Sequence, residues 1–192
     1  MMIRDGASSS SPGASTDRGA ARAAFLRAFR WTDGHADLSG VFGDAALLAA
    51  AGPALAQPFR DVQVSSVIAL EARGFVLGAL VARELGVGLV LARKPGSVHP
   101  GSFEESSTTP DWRGLDVTVR IARGAVTAGD ALLLVDDWIE TGTQARTVRS
   151  ALERVSARLV GVSVLVDDTD ADSRQELGVN GLVRSTELPR SA

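Results

Sequence analysis

Two adjacent carboxylates, Asp136 and Asp137, stand between an apolar run at residues 131–135 and a Thr-Gly-Thr segment at residues 141–143. Carboxylate pairs suit ribose hydroxyls or a bound Mg²⁺ ion. Backbone N–H groups at the start of a helix form a ready site for a phosphate, and the Thr-Gly-Thr segment stands where such a start is expected. The pattern therefore predicts a site for a phosphorylated sugar. The alternative is a plain cluster of acids that the dipole of the following helix favours.

Three cations stand at the ends of earlier apolar segments. Arg73 directly follows a predicted buried strand and precedes Gly74, so its planar donors are placed to meet a pyrophosphate. Arg93 and Lys94 end a neighbouring predicted strand, which suits a polyphosphate. Each of the three could instead be a solvated surface charge.

The elements that must hold these residues follow one another as strand, helix and strand. Residues 66–70 and 87–91 are short apolar strands, and residues 75–85 between them have helical apolar spacing. The continuous apolar runs at 131–135 and 159–166 are typical of strands buried on both faces of a parallel sheet. After residue 143 the apolar positions return to a helical period, so the chain turns at residues 136–143 and runs back over the sheet. These patterns predict an α/β fold with a central, mostly parallel, twisted sheet flanked by helices, Rossmann-like in architecture, with ligands at the carboxyl ends of the strands.

The rest of the chain is divided by composition. Residues 1–17 are rich in serine and glycine and predict a disordered tail, whereas 18–192 predict a single domain. Residues 97–114 are polar and without period, which predicts a flexible lid loop. The other predicted elements are helices at 18–30, 44–57 and 170–177, turns at 32–43, and short strands at 115–121 and 182–183.

Composition excludes several classes of function. The chain has 192 residues, 45% hydrophobic and 22% charged, with a formal net charge of −3, which favours neither a nucleic-acid partner nor an anionic membrane. It has no cysteine, so disulfides and thiolate metal sites are excluded, and two histidines are too few for a histidine zinc site. No apolar run is long enough to span a membrane, and the first residues do not resemble a secretory signal. A cytoplasmic protein is therefore expected.

Two stretches together resemble one family. The residues LLLVDDWIETGTQ, at 132–144, look like the phosphoribosyl pyrophosphate signature of type I phosphoribosyltransferases. Residues 67–96 read VIALEARGFVLGALVARELGVGLVLARKPG and closely resemble the corresponding segment of the adenine phosphoribosyltransferases. The two blocks come in the family's order and with its usual separation, and the resemblance extends over about half of the chain.

The resemblance implies an enzyme that transfers ribose 5-phosphate from phosphoribosyl pyrophosphate to a nucleobase, an adenine-like purine, and releases pyrophosphate. It also implies Mg²⁺ carried by the substrate rather than bound directly by the protein, a homodimer, and a lid that closes over the site. Its implied site residues are Asp136 and Asp137 for the ribose, Glu140, Thr141, Gly142, Thr143 and Gln144 for the 5′-phosphate, Arg73, Arg93 and Lys94 for the pyrophosphate, and Arg73 with Asp111 for catalysis.

Two of the implied roles keep alternatives. Asp111 is a candidate because Asp111-Trp112 aligns with an acid–aromatic pair in the family's lid, and Glu104 and Glu105 are alternative acids for moving a proton on the base. Trp138 lies inside the predicted site turn, where it either packs against the core or flanks the base.

The sequence departs from the family at the phosphate loop. Adenine enzymes usually carry Ala-Thr-Gly-Gly-Thr, whereas this chain has Glu-Thr-Gly-Thr-Gln at 140–144. Glu140 must point away from the phosphate, pair with a cation, or weaken binding. Thr143 removes the backbone freedom that glycine would give to a tight turn.

The family's Phe-Arg-Asp segment, which helps to hold adenine, has no clear counterpart. Residues 40–44 fit the position but lack the arginine, whereas residues 59–61 have the letters but lie too near the first strand. The acceptor base therefore stays open. Two other functions remain: a regulator that senses phosphoribosyl pyrophosphate without turnover, and a phosphoribosyltransferase for a non-purine acceptor.

A second acidic doublet, Asp167-Asp168, follows the apolar strand predicted at 159–166. The similarity to residues 132–137 predicts two neighbouring parallel strands rather than a repeat. Because no Thr/Gly loop follows Asp168, the doublet is expected to be a solvated strand end. The alternative is that it approaches the nucleobase.

Overall fold

The computed structural model describes residues 18–96, 103–108 and 117–189. The predicted tail at 1–17 and the candidate acid Asp111 lie outside these residues. The helices are α1 (Arg18–Ala28), α2 (Ser39–Gly43), α3 (Ala45–Ala56), α4 (Arg73–Leu85), α5 (Thr143–Glu153) and α6 (Ala171–Leu177), with 3₁₀ turns at Gln57–Phe59 and Ser185–Glu187. The strands are β1 (Arg30–Thr32), β2 (His35–Asp37), β3 (Ser66–Leu70), β4 (Gly88–Arg93), β5 (Phe103–Thr108), β6 (Val117–Ala122), β7 (Ala131–Ile139), β8 (Arg158–Asp167) and β9 (Val179–Arg184).

Seven of these strands form one mixed sheet in the order β5-β6-β4-β3-β7-β8-β9. The five strands from β4 to β9 in that order are parallel, and β6 and β5 add an antiparallel edge. The predicted mostly parallel sheet flanked by helices is therefore confirmed. The predicted adjacency of β7 and β8 is confirmed as well.

The two faces of the central strand β7 explain why its apolar run is continuous. Leu133 and Val135 pack on the side of α1, α3 and α4, whereas Leu132 and Leu134 pack on the side of α5. Successive strand residues point to opposite faces, so a strand covered by helices on both faces needs apolar residues at every position.

The predicted lid contains a strand rather than loop alone, and its action as a lid stays a prediction. Residues 103–108, in the middle of the predicted lid at 97–114, form β5 and pair with β6 from Phe103↔Ala122 to Thr108↔Val117. An edge strand is held by backbone hydrogen bonds on one side, so its sequence needs no apolar period. The segments on both sides of β5 lie outside the described residues.

The predicted turn at 136–143 is also too long. Strand β7 continues through both carboxylates to Ile139, because Trp138 and Ile139 pair with Val166 and Asp167 of β8. The turn before α5 is thus confined to residues 140–142. Within the predicted turns at 32–43, the β1–β2 hairpin forms around Asp33 and Gly34, which both have positive φ, the conformation that a tight hairpin turn requires.

No helix among residues 18–96 and 117–189 combines the length and the apolarity that crossing a membrane requires.

Candidate active site

A cavity of about 330 Å³ opens at the carboxyl ends of the central strands β3 and β7. Its lining comprises residues 70–73, Lys94, Val117, Leu134, residues 136–145, Val162 and Val164. This location is where open parallel sheets bind ligands, and the volume suits a small phosphorylated metabolite. The structure therefore brings Arg73, Lys94, both carboxylates and the Thr-Gly-Thr segment to one cavity.

The two carboxylates occupy consecutive positions on β7. The backbone N–H of Asp137 donates a 2.9 Å hydrogen bond to Asp136 Oδ1. Burial, and then repulsion from the neighbouring Asp137 carboxylate, raises the pKa of Asp136 well above its ordinary value, while Lys94 acts in the opposite direction. Two negative charges on this pair are therefore unfavourable in the free protein. Hydroxyl donors or a cation bound to the carboxylates would stabilise the ionised form.

Asp137 is 7% exposed and meets Arg73 across the cavity floor. Arg73 Nη2 lies 2.7 Å from Asp137 Oδ2, yet Oδ2 has no partner with hydrogen-bond geometry among the described residues. The Arg73 side chain, the first of α4, is 54% exposed. This ion pair therefore joins the start of α4 to the end of β7, while about half of the Arg73 side chain stays exposed.

Gly74 permits this junction, a role that sequence reasoning missed. A Cβ placed on Gly74 would lie 2.8 Å from Asp136 Oδ1 and 3.1 Å from the Val135 carbonyl oxygen. Any side chain at this position would push α4 away from β7. The available signal was the glycine directly after Arg73.

Arg93 and Lys94 occupy different surroundings. The Lys94 backbone N–H donates to Glu71 Oε2 at 3.0 Å, and Lys94 lines the cavity. Arg93 Nη1 lies 3.6 Å from Glu71 Oε1, and its guanidinium carbon lies 5.3 Å from the ring centroid of Phe75. Arg93 is therefore held at the rim beside Phe75 rather than in the cavity lining, and its predicted contact with pyrophosphate stays a prediction.

The loop of residues 140–144 connects β7 to α5 and forms one wall of the cavity. Gly142 is the N-cap of α5 with φ +75° and provides no side-chain cap. The hydroxyl oxygens of Thr141 and Thr143 lie 2.9 Å apart and share a hydrogen bond. Because the first N–H groups of a helix have no partner within it, this wall presents donors and the positive end of the α5 dipole to an anion.

The position of Trp138 is compatible with both of the roles considered for it. Its ring lies 6.3 Å from Trp31 and 6.5 Å from Phe29, centroid to centroid, in an aromatic cluster on the core side. It also lines the cavity. Packing of Trp138 is thus observed, whereas contact with a base stays a prediction.

The two residues of the second acidic doublet differ, because Asp167 is buried and Asp168 is exposed. Asp167 is 1% exposed and accepts hydrogen bonds from the backbone N–H and hydroxyl of Thr169, from Arg174 Nε at 2.7 Å and from Arg184 Nη1 at 2.5 Å. The predicted solvated strand end is therefore wrong for Asp167, because two arginines from α6 and β9 fold over it. The Asp168 N–H donates to the Ile139 carbonyl at 2.8 Å, which ties this strand end to β7.

Neither candidate for the adenine-holding segment reaches the cavity lining. Phe59 is 4% exposed and packs against Gly161, and Arg60 forms a 3.9 Å ion pair with Glu84. In the segment 40–44, Val41 is buried in the core and Phe42 packs against it. Both segments therefore serve packing within the described residues.

Comparison with known proteins agrees with this geometry. Residues 45–182 match the family model for the phosphoribosyl transferase domain. An adenine phosphoribosyltransferase of Dinoroseobacter shibae is 36% identical over 76% of this chain and 83% of its own length, and one of Rhodococcus opacus is 35% identical over 85% and 94%. The crystal structure of adenine phosphoribosyltransferase from Rhodothermus marinus superposes with a TM-score of 0.75 at 27% identity, covering 86% of this chain and 99% of that one. Because the family model, the sheet and the cavity at its strand ends all agree, this chain belongs to the type I phosphoribosyltransferase family.

Proposed function

We propose that this enzyme transfers ribose 5-phosphate from phosphoribosyl pyrophosphate to a purine base, adenine in the first instance, and releases pyrophosphate, a purine-salvage reaction. The observation that carries the proposal is that one cavity is lined by an acid pair, by a phosphate loop at a helix start and by the cations Arg73 and Lys94. A sugar that carries both a monophosphate and a diphosphate matches this set of groups.

The loop at 140–144 is the proposed 5′-phosphate site. The N–H groups at the start of α5 supply donors, and the hydroxyls of Thr141 and Thr143, which hydrogen-bond to each other, supply one more. Glu140 and Gln144 are exposed at the cavity wall, and Glu140 has no ion pair among the described residues. Its carboxylate is therefore expected to weaken phosphate binding rather than to aid it.

Asp136 and Asp137 are the proposed ribose ligands. Each ionised carboxylate accepts hydrogen bonds from hydroxyls, and Asp137 Oδ2 is buried with an open hydrogen-bonding position. Hydroxyl donors from the ribose would fill that position. They would also relieve the repulsion that raises the pKa of Asp136.

Arg73 and Lys94 are the proposed pyrophosphate ligands, with Arg93 held nearby against Phe75. Among the described residues, no group of three or more acidic or histidine side chains is arranged to hold a metal ion. Asp136 and Asp137, by holding the ribose, would hold a Mg²⁺ ion that arrives on the substrate. When bound, such an ion would neutralise charge on the leaving pyrophosphate.

The reaction then depends on position and electrostatics. A nitrogen of the base attacks C1 of the ribose, the C1–O bond to pyrophosphate breaks, and positive charge develops on the sugar. Asp136 and Asp137 would hold the sugar beneath the attacking base, while Arg73 stabilises the departing anion. Trp138 is the proposed flank for the base. Asp111, with Glu104 or Glu105 as alternatives, is the proposed acid that moves a proton on the base, from a segment meant to exclude water.

A panel assay tests this function. Purified protein is incubated with phosphoribosyl pyrophosphate, Mg²⁺ and one nucleobase at a time, and pyrophosphate release is measured. Release with adenine is expected, because the named relatives are adenine phosphoribosyltransferases. Release only with a non-purine would assign a different acceptor. Tight binding of the sugar without release for any base would instead favour the sensing regulator.

The acid pair has its own test. Asp136→Asn and Asp137→Asn are each expected to abolish measurable binding of phosphoribosyl pyrophosphate, because an amide cannot replace an ionised acceptor for two hydroxyls. Titration calorimetry measures this directly. Unchanged affinity in both variants would refute the proposed ribose site.

The homodimer and the cytoplasmic location remain part of the proposal. Sedimentation analysis of the purified chain measures the oligomeric state, and fractionation of the source cells measures the location.

A further inference from the structure

The phosphate loop is backed by one side chain that the reaction scheme does not use. Arg146, in the first turn of α5, donates from Nη1 to the Thr141 carbonyl oxygen at 2.7 Å. The same Nη1 would lie 3.1 Å from a Cβ on Gly142, so the guanidinium lies directly against the loop backbone. The contact is therefore to the main chain of the loop.

Arg146 is itself held by α6. Its Nε and Nη2 donate to Glu176 Oε2 at 3.0 and 2.7 Å, and Nη2 also donates to Ser173 Oγ at 2.9 Å. Hydrogen bonds from Arg146 and Arg149 lower the pKa of Glu176 to about 2, so this carboxylate stays ionised throughout the neutral range. Contacts with α5 and α6 therefore fix the orientation of the planar Arg146 guanidinium and of its three donor nitrogens.

This arrangement fixes the orientation of the peptide bond between Thr141 and Gly142. In a trans peptide the C=O and the following N–H point in opposite directions, and the only cis bond among the described residues is Glu71-Ala72. When Arg146 holds the Thr141 carbonyl, the Gly142 N–H is directed away from the guanidinium. A Cβ on Gly142 would also lie 2.7 Å from Leu177 Cδ1, so α6 closes the back of the loop.

We propose that Arg146, braced by Ser173 and Glu176, is a positioning residue that pre-orders the phosphate loop for the 5′-phosphate of the substrate. The inference rests on the proposed function only in naming that phosphate. It predicts a selective defect: the monophosphate end of the ligand loses affinity, and the pyrophosphate end does not.

Arg149 provides a matched control. It is the same residue type on the same helix, its side chain is 30% exposed against 33% for Arg146, and it pairs with the same Glu176. Among the described residues it makes no hydrogen bond to the loop. A merely structural role for the α5–α6 ion pairs would make the two arginines equivalent.

The experiment compares Arg146→Gln and Arg149→Gln with the wild-type chain. Titration calorimetry measures the Kd of ribose 5-phosphate and, separately, of magnesium pyrophosphate. Steady-state kinetics measure KM for phosphoribosyl pyrophosphate and for adenine. For Arg146→Gln we expect Kd for ribose 5-phosphate and KM for phosphoribosyl pyrophosphate to rise on the order of tenfold, as for loss of one charge-assisted hydrogen bond. Pyrophosphate affinity and KM for adenine should not change, Arg146→Lys should restore part of the loss, and Arg149→Gln should leave all four constants unchanged.

Equal defects in the two glutamine variants, or an equal loss of pyrophosphate affinity, would overturn the inference. If Arg146→Gln does not fold, Ser173→Ala, which removes one of the bonds that hold the guanidinium, is measured in the same way and must show a smaller but equally selective loss. The binding measurements need no turnover. A wild-type chain that binds ribose 5-phosphate but releases no pyrophosphate from phosphoribosyl pyrophosphate with any base would therefore refute the proposed function, while the comparison of the two arginines still decides this inference.

Discussion

Replacing Gly74 by alanine tests the close approach of α4 to the acid pair. The new Cβ would lie 2.8 Å from Asp136 Oδ1, about 0.6 Å inside the 3.4 Å at which ordinary contact begins. The carboxylate or the start of α4 must therefore move by about half an ångström. Overpacking of this kind costs about 1–3 kcal/mol, and the better helix propensity of alanine offsets up to about 1 kcal/mol of it.

The larger effect is expected in catalysis. A misplacement of about 1 Å in an active site costs on the order of a hundredfold, so half of that distance should lower kcat/KM for phosphoribosyl pyrophosphate about tenfold. Arg73 begins the same helix and would move with it, which adds to the loss. Initial rates of pyrophosphate release, measured well below the unfolding temperature of the variant, give this constant.

Gly78 supplies the control because it lies one turn further along α4. A Cβ there would lie 2.5 Å from Ala69 Cβ and 3.1 Å from Leu89 Cδ1, both in the sheet packing and outside the cavity. Gly78→Ala should lower stability at least as much as Gly74→Ala but leave kcat/KM of the folded protein unchanged. Wild-type kcat/KM in Gly74→Ala, or the same loss in both variants, would refute the reasoning.

Three further predictions concern charge and stability. The pKa of Asp136 is raised above its ordinary 3.8, so the contribution of Asp136 to stability falls as pH rises from 3.8 through the folded-state value. The Tm of Asp136→Asn relative to wild type should therefore rise across that window, and a relative Tm that falls with pH would contradict this. The pKa of Glu176 is lowered from 4.5 to about 2, so the stability that it contributes over Glu176→Gln should be present above 4.5 and vanish as pH falls to 2, measured as Tm against pH. Asp167→Ala leaves two arginines over an empty buried position. Because their side chains are about one-third exposed, the free energy of unfolding measured in urea should fall by about 2–4 kcal/mol, below the roughly 3–5 kcal/mol of a fully buried pair. A fall of under about 1 kcal/mol would show that solvent replaces the carboxylate.

The sequence by itself determined the alternation of strands and helices and most of the residues that meet in the cavity. Strand β3 at 66–70, the C-cap Gly86 of α4, and α6 after its N-cap Asp170 all follow from local patterns. Period, caps and continuous apolar runs depend on neighbours a few residues away, and for this reason they can be read along the chain. The order of strand, acids and Thr/Gly segment placed the site, because parallel strands bring their carboxyl ends to one edge.

Only the tertiary structure decided which side chains face the cavity and what holds them. Lys94 enters the lining and Arg93 does not, since Glu71 and Phe75 hold the arginine at the rim. The bracing of the phosphate loop joins Arg146 to Glu176, thirty residues apart along the chain. Such contacts are set by the packing of helices and strands that are distant in sequence. Because a charged side chain that binds a backbone carbonyl follows no periodic pattern, the local sequence does not predict these contacts.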